Sequence, residues 1–478
     1  ITKVKLSLAC ITDSEEYIGV YGVTSENGDI SETLIDFNRI TPSAAMSNNG
    51  PSEYSWDITD IAKKWYSGDE NYGLVFKSAS AMTDENDSDF YVASVNSIAT
   101  VSYQDMKGLE SYWSYASQGI GVAGNSSVNL ATGSMIINNP LISTTDSLMP
   151  YTVSLIYDTA RAGTNISSYM PDGFKLNLFE QIVPSNVTEN GSAVRTYILT
   201  DADGTEHRFR QSSSDTSYRD EDGLQLQLTT PGLNLSGNMY ITDANKTVRR
   251  YKEVQTIIKW VLSEITNKNG NKLSFAFDSS SRPISISMTP SGGSAITHLT
   301  ISYNSSGKPY IIWNQNTKDA VIFRYSATYN GDVASSAGKY LREVVFAHGS
   351  ASVTATNWLN FYNNASTTTN ITVDGAAHYW YNSSGYITSA EDGPSKYTLI
   401  YDYSASRVSG ISELGYPAQG QEIKFEYFTG YTEVTTSGKD DLLGTSDDII
   451  SRYVFDSSGR TVTSYSMDSA RTQIYGVS

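Results

Sequence analysis

Over residues 1–104, short runs alternate apolar with polar side chains at the period of a half-buried strand, and the pattern breaks once. In WDITDIAKKWYSGDENYGLVFKS, the residues Ile58, Ile61, Ala62 and Trp65 fall at i, i+3, i+4 and i+7, which predicts one short helix. Asp57 or Thr59 is placed to cap its first turn, and Tyr66-Ser67-Gly68 stops it. Leu74 and Phe76 then share one face with Val75 on the other, so strand chemistry resumes. Residues 105–125 carry four glycines around Tyr112, Trp113 and Tyr115 and read as a docked connector.

Beyond the connector, paired strands are predicted up to about residue 194, and from there the chain turns repetitive. YILTDADGTEHRFRQ and YITDANKTVRRY each place a polar Asp-containing turn between two strands. Asn269-Gly270 marks a further hairpin, preceded by a predicted strand in which Val254, Thr256, Ile258, Trp260 and Leu262 alternate. Four turns share one form: Phe277-Asp278 with SSSRP, Tyr303-Asn304 with SSGKP, Tyr381-Asn382 with SSGYI and Phe455-Asp456 with SSGRT. The first two are about one repeat length apart and the third about three lengths further on, with Tyr329-Asn330-Gly331 at the first intermediate position; the fourth breaks the period. One hairpin cannot bury its apolar face, whereas stacked hairpins share a core that an aromatic at the head of each turn can cover.

Composition agrees with strands and turns. Hydrophobic residues make up only 39%, and 34 Tyr and 36 Gly accompany abundant Ser, Thr and Asn. A formal net charge of −18 opposes nucleic-acid partners and anionic membrane surfaces. No apolar run approaches the roughly 20 residues of a membrane-spanning helix. Cys10 is the single cysteine, so an intrachain disulfide and a cysteine-based zinc cage are excluded, and it reads as a buried inert thiol.

Two resemblances follow. The order Trp56, Asp57, Ile58, Thr59, short helix, Trp65, then Asn71-Tyr72-Gly73-Leu74 resembles the C-terminal half of a DNRLRE domain, a β-sandwich of extracellular bacterial and archaeal proteins associated with carbohydrate. Such domains have strands before the one that ITKVKLSLA resembles, which implies that the sequence begins inside a domain and that the sheet edge at Val4 to Ala9 needs some other cover. Thr132-Gly133, Met149-Pro150, Tyr157-Asp158 and Gly173-Phe174 are similar to the region that leads into RHS/YD-repeat proteins, with Phe174 where the family usually has Trp; the recurring turns resemble YD repeats.

The expected fold is therefore all-β: a partial, jelly-roll-like β-sandwich with one short helix over 1–104, a connector over 105–125, an RHS lead-in region over 126–194, and a YD-repeat hairpin array over 195–478 that coils into a β-shell. The resemblance implies the scaffold and attachment portion of a secreted or surface-displayed bacterial protein that serves cell-wall or carbohydrate attachment, adhesion or toxin display, with a cell-wall or extracellular glycan as partner and, in the full-length protein, a C-terminal toxin enclosed by the shell. The competing readings are a carbohydrate-active enzyme or binding module, and a passive stalk.

Chemistry is sparse in the sequence. It holds no G-x-S-x-G elbow, H-E-x-x-H helix, phosphate loop or dinucleotide-binding fingerprint, so no catalytic residue is assigned. His207, His298, His348 and His378 are separated along predicted strands and read as hydrogen-bonded structural residues, the alternative being a metal or catalytic role if three of them meet in the fold. Calcium is the cofactor suggested, at Asp440, Asp441, Asp447 and Asp448 around Gly444-Thr445, without EF-hand spacing; Asp84, Glu85, Asp87 and Asp89 form a second acidic loop. Tyr112, Trp113 and Tyr115 are the candidate carbohydrate-stacking residues.

Overall fold

The computed structural model describes residues 3–12, 16–26, 28–40, 52–66, 70–78, 90–92, 98–102, 107–163, 169–189, 192–214, 217–231, 237–254, 258–329, 338–363, 370–414, 422–456, 458–472 and 474–477. Asn330-Gly331, the acidic loop at Asp84–Asp89 and Thr256 lie outside them, as does the side chain of Cys10. The chain is almost entirely β and divides into two compact units, one built mainly from Ile1–Asp105 and the other from most of the remainder.

The first unit is a sandwich. Its larger sheet sets Ser52–Asp57, Phe90–Val92 and Ile98–Ser102 against Lys3–Thr12; the smaller has Glu16–Val23 between Ile30–Ile40 and Leu74–Ser78. Val4, Leu8, Ile18, Val20, Trp56 and Ile58 form the shared core. The expected helix is present at Thr59–Tyr66, where Asp57 Oδ1 accepts the Thr59 amide at 3.0 Å. Trp56 is fully buried and its indole donates to Ile18 O at 2.9 Å, while Trp65 is half-buried. The edge that needed cover has it within the described residues: Ser52–Asp57 pairs along one side of Lys3–Thr12, and the two strands from residue 90 onward pair along the other.

In the second unit, Tyr115–Gly119, Asn125–Asn129, Met135–Ser143, Thr152–Asp158 and Phe174–Leu176 form a five-stranded sheet, and a 23-stranded antiparallel sheet begins at Gln181. The long sheet thus starts inside the region read as its lead-in. Its strands follow chain order, with one extra pairing: Gln181–Glu189 also meets Lys259–Thr266, through Gln181 with Val261 and Ile182 with Trp260. That contact closes the first eight strands into a ring. The closing strand forks, since its first half pairs with Gln181–Glu189 and its second half, Glu264 to Thr266, pairs with Lys272–Phe277 to start the ribbon beyond. The expected continuous strand from Val254 to Leu262 is instead a reversal, with Val254 ending one strand and pairing with Lys259 at the start of the next.

The repeated turns share one local device. Asp278, Asn304, Asn382 and Asp456 each use Oδ1 to accept amides two and four residues on, at 2.8–3.0 Å. In each, the residue three after the Asx has a positive φ: Ser281 at 60°, Gly307 at 77°, Gly385 at 85° and Gly459 at 74°. An Asx side chain that imitates a backbone turn and a residue tolerant of the left-handed region explain why these residue types recur. The rings have a second task. The hydroxyls of Tyr303, Tyr325, Tyr381, Tyr403 and Tyr427 donate to the carbonyls of Pro283, Pro309, Leu341, Ile387 and Val408, each at the start of the preceding strand.

The five-stranded sheet is fastened to the ribbon far along the sequence. Tyr157 Oη donates to Gly385 O and accepts the Ile387 amide, both at 3.1 Å, and Asn139 Nδ2 donates to Tyr379 Oη at 3.0 Å. Thr432 Oγ1 donates to Leu130 O at 2.6 Å. A Cβ on Gly133 would lie 2.7 Å from Arg407 Cβ, and one on Gly173 would lie 2.8 Å from the Tyr157 ring, so both glycines mark close approach as well as positive φ.

Candidate functional site: a buried histidine among carboxylates

The most concentrated chemistry lies where the connector meets the start of the closed ring. Tyr197 pairs with Phe209 and Leu199 with His207, so His207 shares the buried face of Phe209 at one end of its strand. The strands Glu206–Ser214 and Ser217–Asp220 form a hairpin, which brings the turn preceding the first and the turn following the second to the same end. Asp201 and Asp222 sit in those turns and flank the imidazole: Nδ1 is 2.8 Å from Asp222 Oδ2 and Nε2 is 3.4 Å from Asp201 Oδ2. Glu110, from the connector, places Oε1 3.3 Å from the same Nε2. His207 is 1% exposed.

Each neighbour is positioned by its own local bonds. Asp201 Oδ1 accepts the amides of Asp203, Gly204 and Thr205 at 3.2, 3.0 and 2.9 Å, leaving Oδ2 for the imidazole. Asp203 Oδ1 accepts the Leu109 amide at 3.2 Å, while Tyr115 Oη accepts the Glu110 amide at 3.0 Å and donates to Gly108 O at 3.2 Å. Gly108 has φ +81°, and a Cβ there would collide with Thr205 Oγ1 and the Thr205 amide nitrogen. A second layer surrounds this core. Asp158 Oδ2 accepts the Gly108 amide at 3.4 Å, Arg161 bonds Glu206 at 3.1 Å and also Gly204 O, and the fully buried Lys175 donates to Asp201 O.

The electrostatics are strongly perturbed. Burial opposes charge on His207, but its bonds to Asp201 and Asp222 prevail and push its pKa up to about 10. Burial raises Glu110 to about 7 despite the pull of His207. Asp158 is raised to about 6 and Lys175 lowered to about 8, in both cases chiefly by burial. Asp201 is held below its usual range because His207 and Lys175 outweigh its desolvation. The arrangement can hold a positive charge in a dry position and tie the connector to the ring. Among the described residues, Glu110, Asp201 and His207 form the group whose donor atoms, one from each residue, all lie within 4.8 Å of one another.

This cluster includes a histidine that the sequence reads first as structural, with a metal or catalytic role as the alternative. The available signal was the pair of Asp-x-Asp-Gly turns, Asp201 to Gly204 and Asp220 to Gly223, on either side of a hairpin containing His207. The other histidines remain separate: His348 pairs with Asp374, His378 lies between Glu343 and Glu391, and His298 is 3.9 Å from Asp146.

The other predicted site residues fall elsewhere. Trp113 is buried against Tyr112, edge to face at 5.1 Å, and Tyr115 is half-buried with its hydroxyl bonded to the connector; the three do not present a row of exposed ring faces. Asp440, Asp441, Asp447 and Asp448 share one loop, in which Asp440 Oδ1 and Asp447 Oδ1 both face the Thr445 hydroxyl, at 3.3 and 2.6 Å. Asp447 Oδ2 accepts the Lys439 amide at 2.5 Å, Asp448 Oδ2 the Gly444 amide at 2.7 Å, and Asp440 Oδ1 the Leu442 amide at 3.0 Å.

No protein-family model matches the sequence, and no curated protein does. Among solved structures, the N-terminal domain of the effector SpvB from Salmonella typhimurium strain LT2 is similar at 11% identity and TM-score 0.28, over 56% of this chain and 99% of that one. TcdB2-TccC3-Cdc42 is similar at 11% identity and TM-score 0.27, over 93% of this chain; this chain spans only 19% of that one. A porin-like protein from Bacteroides uniformis is similar at 11% identity and TM-score 0.21, over 60% of this chain and 97% of that one.

Proposed function

We propose that this chain is a structural part of a secreted or cell-surface protein of RHS/YD-repeat type, a wall that carries or encloses another polypeptide and does no chemistry on it. The observation that carries the reading is the single antiparallel ribbon of 23 strands, closed into a ring at its start and pinned strand to strand by tyrosine hydroxyls. A continuous sheet of hairpins suits enclosure because each added unit extends the wall without a new core. In this reading the Ile1–Asp105 sandwich serves attachment to the cell wall or to a glycan, and a C-terminal toxin is the enclosed cargo.

Electron microscopy of the complete gene product tests the reading: a hollow wall surrounding further density supports it, and solid separate domains overturn it. The purified chain is expected to release no reducing sugar from cell-wall polysaccharide. Release that a single Asp or Glu replacement abolishes would establish the carbohydrate-active enzyme in its place.

A further inference from the structure

We infer that Glu110, Asp201 and His207 form a binding site for a divalent transition-metal cation of the zinc class, one that fastens the connector to the closed ring. The first reason is spacing. His207 Nε2 stands 3.3 Å from Glu110 Oε1 and 3.4 Å from Asp201 Oδ2. His378 shows that one carboxylate can stand 3.3 Å from each imidazole nitrogen, but at His207 a single nitrogen faces two carboxylate oxygens, which one N–H cannot satisfy together. Metal–ligand bonds of about 2.0–2.1 Å in a tetrahedron, by contrast, set neighbouring donors roughly 3.3–3.4 Å apart.

The second reason is how the donors are aimed. Asp222 holds the opposite ring nitrogen, Nδ1, at 2.8 Å, the arrangement in which a carboxylate fixes the tautomer of a metal-bound histidine and turns its Nε2 lone pair toward the ion. Asp201 has its other oxygen committed to three turn amides. Glu110 is anchored at its backbone by the Tyr115 hydroxyl. The three donors arrive from the connector, a turn and a strand, with His207 and Asp201 oriented by bonds to their other ring nitrogen and carboxylate oxygen.

The donor set selects the ion class. One imidazole and two carboxylates in a nearly dry position suit zinc, cobalt or manganese, whereas calcium draws six to eight oxygens and magnesium keeps several waters. With the ion in place of the proton on Nε2 the imidazole is neutral, and the Glu110 and Asp201 carboxylates balance a charge of +2. The site is independent of the scaffold reading, since a structural staple suits a carrier and an enzyme alike.

Equilibrium dialysis of the intact chain against zinc chloride, read by elemental analysis, is expected to give one bound zinc per chain. His207→Gln and Glu110→Gln should each weaken binding by well over tenfold, and Asp222→Asn by about tenfold. Absence of stoichiometric zinc on the wild-type chain overturns the inference, as does binding that is unchanged in both ligand variants. Cobalt chloride provides a reading on the wild-type chain alone, should a variant not fold. Intense visible d–d bands of four-coordinate cobalt support the site, and the weak spectrum of the hydrated ion overturns it.

Discussion

At the scale of single residues, this protein places ionisable groups where burial decides their state. Asp158 is 2% exposed with a folded pKa near 6, against 3.8 for the free side chain. The folded state therefore binds the proton more tightly, so the contribution of Asp158 to stability is fullest below about pH 4 and is lost as pH rises through 6. The loss is about 3 kcal/mol. Asp158→Asn retains an oxygen for the Ala160 amide, which Asp158 Oδ1 accepts at 2.8 Å, and should flatten the urea-measured stability between pH 4 and 6; an unchanged slope would remove Asp158 from the account. Two glycines make a second comparison. Gly108 and Gly163 have nearly equal φ, +81° and +82°, but a Cβ on Gly108 meets Thr205 while one on Gly163 meets none of the described residues within 4 Å. Gly163→Ala should cost about 1 kcal/mol from the left-handed backbone alone, and Gly108→Ala distinctly more, read as a larger fall in urea midpoint.

At the scale of elements, the ribbon is held by two devices set one strand apart, the Asx turn and the tyrosine that reaches back. Tyr325 is 1% exposed and donates to Pro309 O at 2.5 Å. Tyr325→Phe keeps the ring and strands a buried carbonyl, which should cost about 1–3 kcal/mol in chemical denaturation. Asn382 tests the other device. Asn382→Ala removes the acceptor for the Ser384 and Tyr386 amides and should cost about 1 kcal/mol, whereas Asn382→Asp should restore most of it because Asp278 and Asp456 perform the same task in sister turns. A loss equal in both variants would show that the side-chain oxygen is not what holds the turn.

At the scale of the second unit, stability depends on joining segments that are distant in the chain. Tyr157, from the five-stranded sheet, satisfies both Gly385 O and the Ile387 amide across 228 and 230 residues. Tyr157→Phe should accelerate hydrogen exchange at Ile387 by roughly tenfold while leaving the amide of Val321, on the strand Asp319–Ser326 with neighbours on both sides, near its wild-type rate. Equal acceleration at both sites would mean that the ribbon opens as one body and that this fastening is not local. The same dependence explains the two tight glycines: Gly133 and Gly173 belong to motifs visible in the sequence, but what each approaches, Arg407 or Tyr157, emerges only in the folded chain.

What the sequence by itself determined is what is local. The helix at Thr59–Tyr66, the Asn269-Gly270 hairpin and the four Asx turns were all legible, because side-chain period and turn bonds involve residues within a few positions of one another. An all-β chain built on hairpins followed from that. Tertiary structure alone decided which strands are interior and where the sheet closes. Lys3–Thr12 gains partners from about 50 and 90 residues away, and the fork at Lys259–Thr266 rests on a second pairing with Gln181–Glu189 that no local pattern encodes. The carboxylates around His207 show the same division. Asp201 and Asp222 lie within one hairpin's reach, but Glu110 arrives from nearly a hundred residues upstream, and only docking of the connector makes the three a single charged site.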